Sequence, residues 1–383
     1  MKTVAIHLFT VILIGHSTYA QEGNSHDSIP TSNRLTTTLD KKVDVEARQY
    51  MTRVGAVGMS IGILIDGKTV FYGYGETKKG NRQLPDEHTI FGIGSITKTF
   101  TGTLLACAVL DGKINLDDPV NKYMPDSIPS LEYQGIPVTI RTMANHTSGI
   151  PRMPSNLNPK DTLNPFKDYD DNDLFSFYKN FKLQRKPGDT YEYSNLAAAT
   201  LGVILERIYN RSFESLIVEK IANPLGMSHT RQFIKSGDSL RLAKGYGPNY
   251  TPVPEWEYKS LAGSGSILST VADLLKVAAA NMSEAPSGLN EAMQLTHQQI
   301  FKHGADGVGM LWDIIGLHNE IIDHNGRVGG FTSFLIIDLK RRVAVVLLSN
   351  TAILTFKDIS SAAKAGMDRE GYEIMKFAEN HKE

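Results

Sequence analysis

The two ends of the chain read as β-strand, and the stretch between them reads as helix and loop. That arrangement constrains the fold more than any other feature. Near the start, Val57 to Ile65 is an apolar strand, Asp66-Gly67 is a hairpin turn signal and Val70 to Tyr74 is the return strand. Strand character returns only at Ile321–His324, Phe331–Asp338 and Arg342–Ser349. Between about residues 111 and 300, helical stretches such as Leu196–Tyr209 and Val271–Met282 alternate with Pro- and Asn-rich loops. Leu39, Val43 and Ala47 recur at spacing four and predict a helix to about Arg53, and a last helix is predicted from about Asp358 to Glu379. The expected class is α+β: an antiparallel sheet flanked by terminal helices, with a mostly helical domain inserted. The expected boundaries are 43–110 with 300–383 for the sheet domain and 111–299 for the helical domain. A long polar loop from Asn156 to Asp173 is of the kind that lines functional sites.

Residues 1–20, MKTVAIHLFTVILIGHSTYA, have a positive Lys2, an apolar run and a small-residue cleavage site, so they read as a signal peptide. The run is too short for the roughly 20 apolar residues of a membrane span. Secretion or a periplasmic location is expected, with residues 21–42 as a flexible lead-in. Lys plus Arg is 40 against 41 for Asp plus Glu. That balance argues against a protein that coats nucleic-acid phosphates. One cysteine, Cys107, rules out an intrachain disulfide and a Cys-based metal cluster, and it reads as a buried small side chain. No zinc-binding HExxH, P-loop or dinucleotide fingerprint is present, and His318 and His324 have no carboxylate in register, so no metal or cofactor is expected.

Three short motifs carry chemistry. Ser95-Ile96-Thr97-Lys98 opens a helix with apolar positions at Phe100, Leu104 and Ala108. Residues three apart share a helix face, so the Lys98 amine can reach the Ser95 hydroxyl. A partly desolvated lysine can take the proton that makes serine a nucleophile. A capping serine followed by a solvated lysine would look the same. Tyr193-Ser194-Asn195 stands before the small-residue helix at Leu196. Its phenol can shuttle a proton and its amide can orient a substrate, although a buried Tyr and a turn Asn also fit. His324-Asn325-Gly326-Arg327 ends a strand. A glycine there permits close backbone approach, and the histidine offers a hydrogen bond or a charge. An ordinary strand connection also fits.

SxxK, YxN and HxG in this order resemble the serine penicillin-recognising hydrolases, in the branch holding class C β-lactamases, D-alanyl-D-alanine carboxypeptidases and esterases. Phe91–Gly102, Asp111–Val120, His146-Thr147-Ser148-Gly149, Pro224–Met227 and Gly263–Leu274 also resemble family segments, and the likeness runs from about 44 to 375. It implies a β-lactamase/transpeptidase-like fold and a Ser95 acyl-enzyme. Lys98 and Tyr193 would share the acid and base work, with their order left open. Asn195 would contact Lys98 and the substrate amide. His324, Asn325, Gly326 and Arg327 would bind substrate, with His324 at its carboxylate and the Ser95 and Arg327 amides as the oxyanion hole.

The third motif departs from the Lys-Thr-Gly usual in class C β-lactamases. Histidine is charged only below its pKa, ordinarily about 6.5. The expected activity is that of an exported serine hydrolase acting on β-lactams or D-amino-acid peptides. The alternatives are a carboxylesterase or amidase of the same family, or a non-catalytic protein binding cell-wall peptide. The expected partner is a small-molecule or peptide substrate, and a monomer is expected.

Overall fold

The computed structural model describes residues 29–316, 320–352 and 366–381; the predicted leader lies outside them. In chain order the strands are β1 (Gly58–Ile65), β2 (Lys68–Gly75), β3 (Phe91–Gly92), β4 (Glu132–Tyr133), β5 (Ile136–Pro137), β6 (Leu268–Ser269), β7 (Phe301–His303), β8 (Asp306–Val308), β9 (Asp313–Ile315), β10 (Ile321–Val328), β11 (Phe331–Asp338) and β12 (Val343–Ser349). The helices are α1 (Thr38–Val54), α2 (Thr97–Leu110), α3 (Ile140–Ala144), α4 (Asp171–Asn180), α5 (Asn195–Tyr209), α6 (Phe213–Ile217), α7 (Val271–Asn281), α8 (Gly288–Thr296) and α9 (Asp368–Asn380).

Eight strands form one sheet in the order β2-β1-β12-β11-β10-β9-β8-β7. Its pairings are antiparallel, and β1 lies on β12 with Met59 opposite Ser349. The β1–β2 turn uses Asp66 and Gly67, both at positive φ, as a two-residue hairpin of matching twist requires. The α+β class read from the sequence is the class observed. Three short strands, β7 to β9, extend the sheet beyond those expected; at three residues each they are too short to show an alternating pattern.

Two apolar cores hold the sheet. On one face, Val43, Ala47 and Tyr50 of α1 and Ile374 of α9 pack on Ile61, Ile63, Phe334 and Ile336. On the other, Leu335, Ile337, Val346 and Leu348 meet the helices of the middle of the chain. There α7 lies close to β1: a Cβ on Gly62 would stand 3.1 Å from side-chain atoms of Val271 and Leu275. Helix α2 is buried on all sides from Thr97 to Ala106, so it threads the core rather than covering it.

The expected flexible lead-in is corrected over its described part. Thr31 Oγ1 donates to Gly73 O at 2.9 Å and Asn33 Nδ2 to Tyr74 Oη at 2.7 Å. Thr37 and Asp40 then form a reciprocal capping box that starts α1. Polar composition suggested a loose segment, but these side chains are bonding to β2 and to the helix end. The last helix is described from Asp368; residues 353–365 lie outside the described residues. Among the described residues no helix is long and apolar enough to cross a membrane.

Candidate active site

Ser95 sits in a tight 3-10 turn, Gly94–Ile96, that runs directly into α2. The turn is held from two sides. Ile93 N donates to Ile267 O at 3.0 Å, and Ile267 N donates to Thr97 Oγ1 at 3.1 Å. Ser333 Oγ on β11 donates to Ile93 O at 2.8 Å. Two glycines make the fit possible. Gly94 has φ +51, and a Cβ there would lie 2.6 Å from Arg327 N. A Cβ on Gly326 would lie 2.1 Å from Ile93 O and 2.9 Å from Ser95 N. Strand β10 is thus pressed against the Ser95 turn, and the amide nitrogens of Ser95 and Arg327 flank that contact.

One helical turn on, Lys98 is fully buried, with Nζ 3.1 Å from Ser95 Oγ and donating to Ser264 O at 2.6 Å. No carboxylate pairs with it among the described residues. Burial, helped by the Arg152 charge, pushes its pKa well below the ordinary lysine value.

Tyr193 reaches the same spot from the other wall. Ser194 caps α5, its Oγ accepting from Ala197 N at 2.9 Å and donating to Pro151 O at 2.8 Å. His146 grips the neighbouring backbone: Glu192 N donates to His146 O at 2.8 Å, and Ser194 N donates to His146 Nδ1 at 3.2 Å. The His146 ring lies 4.6 Å from the Tyr193 ring, centroid to centroid. Lys98 Nζ stands 4.9 Å from the Tyr193 ring centre. Burial raises the phenol's pKa, against an opposing pull from the nearby Ser95 hydroxyl and the Arg152 charge. Burial therefore favours the uncharged phenol at Tyr193 and the uncharged amine at Lys98.

The remaining sequence candidates separate. Asn195 is the first residue of α5, but its Nδ2 donates to Met153 Sδ at 3.4 Å, while Lys98 is anchored on the Ser264 carbonyl. The expected Asn195–Lys98 contact is thus replaced by a backbone one. His324 faces the cleft, 3% exposed, with its ring 6.3 Å from that of Tyr193. Its Nδ1 lies 2.6 Å from Asn325 O, which fixes the tautomer with the proton on Nδ1 and leaves Nε2 as an acceptor. Burial, then the Lys98 charge, pushes its pKa down to about 3. Of the hydrogen bond or charge that the sequence left open for His324, burial therefore favours the neutral, hydrogen-bonding ring. Asn325 turns away: its Nδ2 donates to Asp368 Oδ1 at 2.7 Å, at the start of α9. The space beside Gly326 is filled by the Ile93–Ser95 backbone, so that glycine positions the turn rather than receiving substrate. Arg327 brings its amide to the site, while its side chain lies toward Asp368 and Tyr50.

Three participants were not singled out from the sequence. Ser264 acts through a carbonyl, which leaves no side-chain signal. His146 had been noted only as part of a family-like segment. Arg152 is exposed, with its guanidinium 4.9 Å from the Tyr193 ring centre and no carboxylate partner among the described residues. Among the described residues no group of three or more His, Cys, Asp or Glu is placed to hold a metal.

Ser95 and Tyr193, both half-buried, thus flank the buried Lys98 amine beside strand β10. The Beta-lactamase family model matches residues 43–364. The chain belongs to the Beta-lactamase family. It is similar to the D-alanyl-D-alanine-carboxypeptidase/endopeptidase AmpH of Escherichia coli K12, with 26% identity over 341 residues, 83% of this chain and 86% of that one. It is also similar to a β-lactamase of Pseudomonas fluorescens, with 26% identity over 73% of this chain and 75% of that one. A β-lactamase/D-alanine carboxypeptidase structure from Pseudomonas syringae superposes with a TM-score of 0.76 at 23% identity, covering 89% of this chain and 99% of that one. This member of the Beta-lactamase family is a serine hydrolase acting on small-molecule or peptide substrates.

Proposed function

We propose that the protein is an exported hydrolase of D-amino-acid peptides or β-lactams that works through a Ser95 acyl-enzyme. The observation that carries this is the buried, carboxylate-free Lys98 amine 3.1 Å from Ser95 Oγ. As a neutral amine it takes the Ser95 proton while Oγ attacks the carbonyl carbon. The developing oxyanion sits between the Ser95 and Arg327 amides, where one such donor is worth about 3 kcal/mol. Tyr193, kept as a phenol, hands its proton to the departing group and is reprotonated from Lys98. Water then releases the acid and restores Ser95 by the reverse proton path. The similarity to the D-alanyl-D-alanine-carboxypeptidase/endopeptidase AmpH and to a β-lactamase supports this substrate class, and the leader-like residues 1–20 support export.

Neutral His324 offers no charge to a substrate carboxylate. Arg152 does: it is exposed at the Tyr193 side of the cleft, where the departing group lies. This favours a leaving group that carries a carboxylate, such as a C-terminal D-amino acid, over a neutral ester.

The test is covalent labelling with a fluorescent penicillin, with the adduct located by peptide mass spectrometry, and turnover of nitrocefin, a D-Ala-D-Ala peptide and p-nitrophenyl acetate. Ser95→Ala should lose label and turnover while keeping its melting temperature; a pure sample retaining more than about 1% of activity removes Ser95 as nucleophile. Arg152→Ala should lower kcat/KM for the D-Ala-D-Ala peptide by one to two powers of ten, the worth of a charge-assisted hydrogen bond of about 1.5–3 kcal/mol. At the alkaline plateau p-nitrophenyl acetate should be spared. Without the Arg152 charge the Lys98 pKa rises, so the acid limb of kcat/KM should move to higher pH for both substrates. Equal plateau losses on both substrates would return the weight to the esterase reading.

A further inference from the structure

A cavity of about 190 Å³ opens beyond the oxyanion site, on the side away from Tyr193. Its walls continue the segments that build the active site. On the strand side, Val328 and Gly329 follow Arg327; on the opposite side, Gly265 and Ser266 follow Ser264, whose carbonyl holds Lys98. A Cβ on Gly265 would lie 3.8 Å from the Gly94 carbonyl carbon, so the cavity abuts the nucleophile turn.

Strand direction orders the substrate. β10 passes from His324, beside Tyr193, to Val328, about 13 Å further along at 3.3 Å per residue. A carbonyl held between the Ser95 and Arg327 amides has its leaving group toward Tyr193, which protonates it. Its other substituent, the acyl group, then extends toward Val328 and into the cavity.

The lining states what that acyl group is. Phe233, Trp256, Tyr258, Leu268 and Phe331 make it apolar and aromatic, and Phe233 stands 55% exposed at the rim. Trp256 is braced edge-on by Phe166 of the long loop, with ring centres 5.2 Å apart. No Lys or Arg lines the cavity, while Glu255 and Glu257 are exposed on it. Trp256 Nε1 and Ser266 Oγ are buried without a hydrogen-bond partner among the described residues, so a ligand acceptor would satisfy them. The volume exceeds the ~150 Å³ that admits a benzene ring.

We propose that this cavity is the acyl subsite and that it selects an uncharged aromatic or medium-chain acyl group, rejecting an acyl group that bears a carboxylate. The proposal rests on the Ser95 acyl-enzyme reading and names the substrate class of that site.

The experiment compares p-nitrophenyl acetate, hexanoate, phenylacetate and the glutarate half-ester, each corrected for its hydroxide rate. The phenylacetyl-to-acetyl ratio of kcat/KM should be about tenfold or more, with the glutarate half-ester below acetate. Phe233→Ala and Trp256→Ala should each cut that ratio about fivefold. A flat ratio, a preferred glutarate half-ester, or variants that leave the ratio unchanged would overturn the subsite while leaving the Ser95 reading intact. If no ester acylates Ser95, the fluorescent-penicillin label decides the Ser95 reading and binding alone decides the cavity. Phenylacetamide should then bind Ser95→Ala protein and quench tryptophan emission where acetamide does not. Absence of that difference overturns the proposal.

Discussion

Along β10, His324, Gly326 and Val328 turn toward the cleft and the core beneath it, whereas Asp323, Asn325 and Arg327 turn toward α9. Val328 packs in the core shared with the middle helices. On the other face, Tyr372 Oη of α9 donates to Asp323 Oδ2 at 2.7 Å, and Asn325 bonds Asp368. A strand alternates its side chains with period two, so a motif written as consecutive letters divides between two sets of neighbours. In HNGR, histidine and glycine serve the cleft, asparagine serves the attachment of α9, and arginine gives its amide to one side and its side chain to the other.

Substitutions should separate the faces. The largest effect is expected at Gly326→Ala. Its Cβ would displace the Ile93–Ser95 turn, and misplacing reacting atoms by about 1 Å costs a hundredfold or more in kcat/KM. Asn325→Ala, one residue away, should keep kcat/KM within about twofold while losing one hydrogen bond's stability, about 0.5–1.5 kcal/mol. Steady-state kinetics beside thermal melts reads both, and a kinetic defect in Asn325→Ala would erase the distinction.

His324→Lys comes next. It would place a second basic amine in the buried space beside Lys98, where burial penalises any charge the pair carries, so activity should fall about tenfold or more and the melting temperature should drop. In the parent enzyme His324 stays neutral across the working range, so no alkaline loss of carboxylate binding should trace to it. A gain of β-lactam hydrolysis in the lysine variant would show that the pocket can hydrate or pair the new charge.

The smallest effect is expected where β9 meets the helix-facing side of β10. Asp313 and Asp323 are cross-strand partners. Burial and neighbouring carboxylates push Asp313 up to about 6 and Asp323 well above its ordinary value. A carboxyl with a raised folded pKa keeps a proton that the unfolded chain sheds above about pH 4, so stability falls as pH rises through about 6. Asp313→Asn should therefore raise the melting temperature by a few degrees near pH 8 and leave it unchanged near pH 4 (about 2–4 °C per kcal/mol). Equal shifts at both pH values would assign the effect to packing.

The sequence disclosed what period and spacing encode. The β1–β2 hairpin was legible from Asp66-Gly67, α1 from Leu39, Val43 and Ala47, and the Ser95–Lys98 juxtaposition from helical spacing. The split of HNGR across two faces was available from strand period alone but was obscured by reading the motif as a unit. What remained hidden depends on tertiary placement. The charge on His324 is set by burial and by Lys98, the anchor of Lys98 is the backbone carbonyl of Ser264, and Arg152 reaches Tyr193 only because its own carbonyl accepts from Asn195 and Leu196 at the start of α5. The lead-in was misread because Thr and Asn composition does not distinguish solvated residues from caps.

The pairing of β1 with β12 has a consequence for how the molecule is made. Met59 waits for Ser349, so the central strands of the sheet join only when nearly the whole chain is present. Contacts of such sequence separation pay their loop-closure entropy before they return any stability, and they slow folding. Arg327 cannot meet Gly94 until β10 and β11 have docked on β12. A nascent or cleaved chain that stops short of residue 340 therefore carries Ser95 and Lys98 without an oxyanion site, and it leaves an edge of β1 open to pair with another chain. Catalytic competence arrives with topological closure rather than with the synthesis of the nucleophile.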